Sequence, residues 1–234
     1  MPLTKLKYSY SDEVLVVFLN HIESYNAFDI HMATELWELL EKEKPKALVL
    51  SNTGNTFCSG GNLKYYKALE TKEEGVAVNQ KIKSILNGIN DLAIPKACFV
   101  QGSCYGGGVE LLSCFDKTYG SPSSLFGLWQ RRIGLSFGWG GGERLLKRLS
   151  ESDLQAWLFE ASTLSSYEAL RLGLIDEVAL SFQGIERAIL WSKTSQSLGE
   201  ESFCKTKAFK DNEQNVFEDL WLSEKHKDVL KKFN

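Results

Sequence analysis

Apolar residues first gather in an unbroken run of strand length, Val14 to Leu19, the pattern of a strand buried on both faces. The polar connection HIESYNAFD follows. Met32, Leu36, Leu39 and Leu40 then recur at helical spacing, and the helix they predict ends near Pro45. Ala47 to Leu50 predict a second buried strand, and Ser51 to Gly61, SNTGNTFCSGG, predict a glycine-bearing loop. A further helix is predicted by Val78, Ile82, Ile85, Leu86 and Ile89. The charged stretch before it, Lys64 to Gly75, reads as a mobile or pocket-lining segment. Pro95 breaks the chain before a short apolar strand, Ala97 to Val100, which QGSCYGGG joins to a helix bearing Val109, Leu111, Leu112 and Phe115. Alternating strands and helices predict α/β units with parallel strands. Ligands in such sheets bind at the carboxyl ends of strands, where the loops beginning at Ser51 and Gly102 would face one site. From Gly138 onward helical patterns dominate: Glu143 to Leu149, Leu154 to Phe159, Tyr167 to Leu172 with Ser165 and Glu168 as a capping box, and Ile185 to Trp191. A charged amphipathic tail ends the chain.

Composition narrows the function classes. The 234 residues carry a formal net charge of −3, and Lys and Arg are scattered among Asp and Glu. That leaves no footprint for nucleic acid or an anionic membrane. The first residues lack a signal core, and no run of 18 apolar residues occurs, so a cytoplasmic protein is expected. Cys58, Cys98, Cys104, Cys114 and Cys204 show no C-x-x-C spacing and read as reduced thiols, mostly in the core. His21, His31 and His226 are far apart in sequence, so no metal is expected.

Candidate chemistry concentrates in KACFVQGSCYGGGVELLSCFD, residues 96 to 116. Three glycines at a helix start leave N–H groups accessible to an anionic oxygen, and Glu110 lies one turn inside. Donors for a developing oxyanion beside a carboxylate suit proton abstraction next to a carbonyl. The plainer alternative is a tight turn whose glutamate complements the helix dipole.

Four segments make the sequence resemble the crotonase superfamily, also called the enoyl-CoA hydratase/isomerase family. They are YNAFD at 25 to 29, TFCSGGNLK at 56 to 64, QGSCYGGGVEL at 101 to 111 and FGLWQRRIGLSFGWGGGERL at 126 to 145, with a weaker likeness in SSYEALRLGLIDEV at 165 to 178. The resemblance implies an α/β fold: a crotonase-like ββα spiral over residues 1 to 180 and a helical trimerisation region over 181 to 234. It also implies a homotrimer or homohexamer, an acyl-CoA thioester as ligand, and no cofactor beyond the coenzyme A of the substrate. By motif position, the N–H groups of Gly61 and Gly107 match the family's oxyanion hole. Ser24, Ser59, Gly60, Asn62 and Leu63 match positions that hold adenine and pantetheine, and Glu110 matches the first of the hydratases' two catalytic glutamates.

The second glutamate is missing. F-G-L-W-Q stands where the hydratase pattern resembles F-G-x-P-E, so the position falls on Gln130, an amide that cannot act as a general acid or base near neutral pH. A single-base enzyme using Glu110, assisted by Gln130, is therefore expected to shift a double bond, add or eliminate a β substituent, or protonate an enolate left by decarboxylation. Hydration of crotonyl-CoA should be slow, and Gln130→Glu should raise it. Trp129 adds bulk near the pocket, Asn62 replaces a frequent Asp, and Tyr65 and Tyr66 either line the acyl pocket or lie on a helix surface. Two alternatives stay open. One is a non-catalytic acyl-CoA-binding homologue. The other is a serine hydrolase using Ser136 of Gly134-Leu135-Ser136-Phe137-Gly138, whose context fits a nucleophile elbow poorly.

Overall fold

The computed structural model describes residues 3–207, 209–221 and 223–233, without the side chains of 200, 209–211 and 233. In chain order the elements begin with β1 (Leu6–Ser11), β2 (Val14–Leu19), α1 (Ile30–Glu43), β3 (Ala47–Asn52), β4 (Thr56–Cys58), α2 (Leu63–Lys67) and α3 (Lys72–Asp91). Next come β5 (Lys96–Val100), β6 (Ser103–Tyr105), α4 (Gly107–Leu112), β7 (Lys117–Gly120) and β8 (Leu125–Gly127). The remainder comprises α5 (Gly141–Leu145), α6 (Glu151–Glu160), β9 (Thr163–Ser165), α7 (Ser166–Leu172), β10 (Glu177–Val178), α8 (Ser181–Ser197), α9 (Glu200–Thr206), α10 (Phe209–Leu220) and α11 (Glu224–Leu230).

Two sheets organise the chain. The larger has the order β1-β2-β3-β5-β7-β10, parallel except for the β1–β2 hairpin, and the smaller has the order β4-β6-β8-β9. Each long strand is followed by a short one in the other sheet, β3 by β4, β5 by β6 and β7 by β8, which is the ββα spiral the family pattern implies. Strand alternation sorts the core. Leu15, Val17 and Leu19 face the main cluster with α1 and α3, whereas Val14, Val16, Val49, Ala97 and Phe99 face α8. Gly184 allows that second contact, because a Cβ there would overlap the Phe99 ring.

Several boundaries differ from the sequence reading. The Ser51 to Gly61 loop contains β4, whose apolar Phe57 and Cys58 are fully buried and pair the segment with β6. Lys64 to Gly75 holds most of α2 and the first turn of α3, started by a capping box between Thr71 and Glu74. The Ser165–Glu168 capping box forms as expected at α7. Strand β1 escaped notice because its outward positions are polar or aromatic. Four cysteines are buried and unpaired, and burial pushes the Cys58 thiol up to about 12, far from nucleophilic use at neutral pH.

Candidate active site

The two glycine loops touch at the ends of β4 and β6. A Cβ on Gly60 would stand 3.1 Å from the Tyr105 carbonyl oxygen and 3.6 Å from the Gly107 nitrogen, so only glycine allows this approach. Gly60, at φ +108°, also has a backbone that side chains disfavour. Phe28 holds the first loop by donating to the Gly60 carbonyl at 2.8 Å and accepting from the Asn62 N–H at 3.2 Å. Gly107 is the first residue of α4, where no carbonyl within the helix can accept its N–H. Among the described residues, no hydrogen bond uses the N–H of Gly61 or of Gly107.

Glu110, on α4 and 2% exposed, has the opposite character. Its Oε2 accepts the N–H groups of Trp139 at 2.8 Å and Gly141 at 3.0 Å. Its Oε1 accepts, at longer range, the Gly138 N–H at 3.3 Å and Gln130 Nε2 at 3.4 Å. A carboxylate has about four acceptor sites, and here four donors meet it. Glu110 and Gln130, both singled out in the sequence, meet here, and the carboxylate also fastens the loop 138–141. Gly141 permits this, since a Cβ there would crowd the Glu110 side chain. Arg144, 6% exposed, closes the arrangement by donating to the Glu110 and Trp139 carbonyls, Ser113 Oγ and Asn87 Oδ1. The side-chain amide oxygen of Gln130, Oε1, is buried without a partner among the described residues.

Trp139, held by its backbone to Glu110, lays its indole against both glycines. A Cβ on Gly107 would overlap its six-membered ring, and one on Gly61 would lie 3.6 Å from it and 2.9 Å from Tyr66 Cε2. Phe28 packs on the same indole with ring centroids 5.7 Å apart. Asn79 of α3 accepts from both aromatic residues, from Trp139 Nε1 at 2.7 Å and the Tyr66 hydroxyl at 2.9 Å. Burial raises the Tyr66 phenol above its ordinary value, which keeps it a protonated donor near neutral pH. Arg144 and Asn79 were missed in the sequence. An Arg in the last turn of a short helix and an Asn among helical apolar positions were the available signals.

The remaining sequence candidates gather on one rim. Ser59 donates its N–H to the Tyr25 carbonyl at 3.1 Å, beside Ser24 in a 3-10 turn where the Ser24 hydroxyl bonds His21. Leu63 is 60% exposed at the start of α2. Asn62 caps α2 through Oδ1 and donates Nδ2 to Asp29 Oδ2 at 2.9 Å. An Asp at 62 would put two carboxylates face to face, which accounts for the amide. Burial works to raise the Asp29 carboxyl, yet Lys5, the Met32 N–H and Asn62 outweigh it and hold Asp29 below its ordinary range. Trp129 stacks on Tyr105 at 3.7 Å with Arg132 over its ring, rather than facing the two glycines. Ser136 lies exposed in coil after a 3-10 turn, without the strand-to-helix bend of a nucleophile elbow.

The ββα spiral, with the two glycine loops meeting beside α4 and its buried Glu110, is the architecture to which the sequence motifs pointed. The chain belongs to the enoyl-CoA hydratase/isomerase family, whose pattern it matches over residues 9–227. It is 34% identical to the ethylmalonyl-CoA decarboxylase of Rattus norvegicus over 167 residues, covering 70% of this chain and 56% of that protein. To the protein of the same name from Homo sapiens it is 31% identical over 185 residues, covering 76% and 60%. The matched stretch thus spans little more than half the length of these curated relatives. The fold superposes on an enoyl-CoA hydratase from Bacillus anthracis with a TM-score of 0.89 at 20% identity, covering 98% and 96% of the chains. A Mycobacterium smegmatis enoyl-CoA hydratase gives 0.89 at 18% identity, covering 99% and 96%.

Proposed function

We propose that the chain acts on a malonyl-type CoA thioester, losing CO2 to form an enolate whose oxygen is held by the N–H groups of Gly61 and Gly107. One observation carries this reading: the N–H groups of Gly61 and Gly107 meet no acceptor among the described residues, whereas the Glu110 carboxylate meets four donors, two of them at close range. A decarboxylation needs the former and dispenses with a base. The bond between the α carbon and the carboxylate breaks, its electron pair enters the enolate, CO2 departs, and a proton from solvent water then joins the α carbon. Similarity to ethylmalonyl-CoA decarboxylases at about 30% identity supports the same reaction class. Coenzyme A would arrive as part of the substrate along the rim of Ser24, Ser59, Gly60, Asn62 and Leu63.

A second reading keeps Glu110 as the base, favoured by the long contacts at Oε1, which leave that oxygen the freer of the two. The two readings separate on substrate. Incubation with malonyl-, methylmalonyl-, ethylmalonyl- and crotonyl-CoA, followed by mass spectrometry, is expected to show CO2 loss from at least one branched malonyl thioester and slow hydration of crotonyl-CoA. Fast hydration without any decarboxylation would overturn the first reading.

The assembly proposed is a homotrimer or homohexamer. Phe217, Trp221, Val229 and Leu230 of the tail are 56%, 55%, 39% and 43% exposed in the single chain, apolar surface that a neighbouring subunit would cover. The side chain of Phe233 lies outside the described residues. Among the described residues no helix is long and apolar enough to cross a membrane, and no three metal-binding side chains gather.

A further inference from the structure

We propose that Asn79 determines acyl-chain specificity by holding Trp139 and Tyr66 as a wall across the notch between Gly61 and Gly107. The inference rests on the thioester reading above. Indole nitrogen is only a donor, so the Asn79 atom facing it must be the carbonyl oxygen, and that same oxygen takes the Tyr66 hydroxyl. The other end of the amide donates to the Gly75 carbonyl at 2.7 Å, one turn earlier in α3, which fixes the side chain's orientation. Trp139 is therefore held at two points, its backbone N–H by Glu110 and its indole by Asn79.

The consequence is steric. A thioester whose oxygen reaches both N–H groups has its acyl carbons beside Gly107, and there the indole already packs against the glycine and Phe28. Trp139, 3% exposed and pinned, would therefore restrict the acyl group to a short one. A longer chain requires the indole to leave, and leaving breaks its bond to Asn79.

The test is calorimetric binding of free CoA and of acetyl-, butyryl-, hexanoyl- and octanoyl-CoA to the full chain, to Asn79→Ala and to Asn79→Asp. Each variant is first checked by thermal unfolding. For the unaltered chain, affinity is expected to fall at least about tenfold from butyryl- to octanoyl-CoA, the scale at which an apolar pocket discriminates by size. Asn79→Ala should erase that fall, while Asn79→Asp, which keeps an acceptor for both aromatic residues but loses the donor to the Gly75 carbonyl, should retain part of it. If Asn79→Ala does not fold, Trp139→Phe, lacking the N–H and the second ring, carries the same expectation. An unchanged chain-length profile in Asn79→Ala or Trp139→Phe, or no fall in the unaltered chain, would overturn the proposal. Failure of every ester to bind would instead remove the thioester reading beneath it.

Discussion

The two sides of the site are built on opposite principles. On the glycine side, Gly61 and Gly107 present N–H groups for which the described residues supply no acceptor. On the acid side, Glu110 meets four donors, three of them backbone N–H groups of the loop 138–141. Buried polar groups in folded proteins are ordinarily paired, so unpaired donors call for an explanation that a fully met carboxylate does not. On the proposed reading, the contrast would put the chemistry in electrostatic stabilisation of an oxyanion and leave Glu110 to position the loop that carries Trp139.

The largest expected effect lies on the glycine side. Gly107→Val would drive a side chain into the Trp139 ring and displace the helix start, so turnover should fall by at least the ~10²–10³ typical of losing one oxyanion donor. Turnover beside melting temperature checks this, since a folded variant with full activity would break the comparison. Glu110→Gln is expected to act on stability first. An amide turns an NH2 toward backbone N–H groups and strands a buried donor, at a cost of about 1–3 kcal/mol by urea unfolding. Lost activity with unchanged stability would restore Glu110 as the base. Gln130→Glu sharpens the same point, because a second carboxylate beside Glu110 Oε1 supplies the missing acid and should raise hydration of crotonyl-CoA while lowering stability.

A smaller effect is expected at Asp29, another buried carboxylate engaged by donors, here Lys5, Met32 and Asn62. Its folded-state pKa is lowered, so its contribution is fully present above the unfolded value of about 3.9 and is lost as pH falls through the folded value. Asn62→Asp replaces a donor with a like charge. Stability at pH 7 should drop by about 1 kcal/mol, and the drop should shrink toward acid pH, as unfolding curves at pH 7 and pH 4 would show.

Much of this was legible in the chain. The buried strands at Val14 and Ala97 and the amphipathic helices follow from local periodicity, a property of neighbouring residues, and the meeting of the two glycine loops from the rule that loops at the carboxyl ends of parallel strands share one face. Glu110 and Gln130 were paired through motif position, and the structure places them 3.4 Å apart. What could not be read depends on contacts across long sequence separations. The loop N–H groups that engage Glu110 come from 28 to 31 residues away, and Asn79 meets Trp139 across 60. The short strands β4, β6 and β8 are three residues each, too brief for periodicity to register.

Deuterium exchange tests the division of labour between the two sides most directly. Ethylmalonyl-CoA and butyryl-CoA are incubated separately with the chain in D2O, and each product is weighed by mass spectrometry. A site that makes its enolate by losing CO2 should put one deuterium into the acyl group for each CO2 released and exchange butyryl-CoA far more slowly. Rapid exchange into butyryl-CoA, with no CO2 from ethylmalonyl-CoA, would mean that a working base removes the α proton and that Glu110 had been wrongly read as engaged.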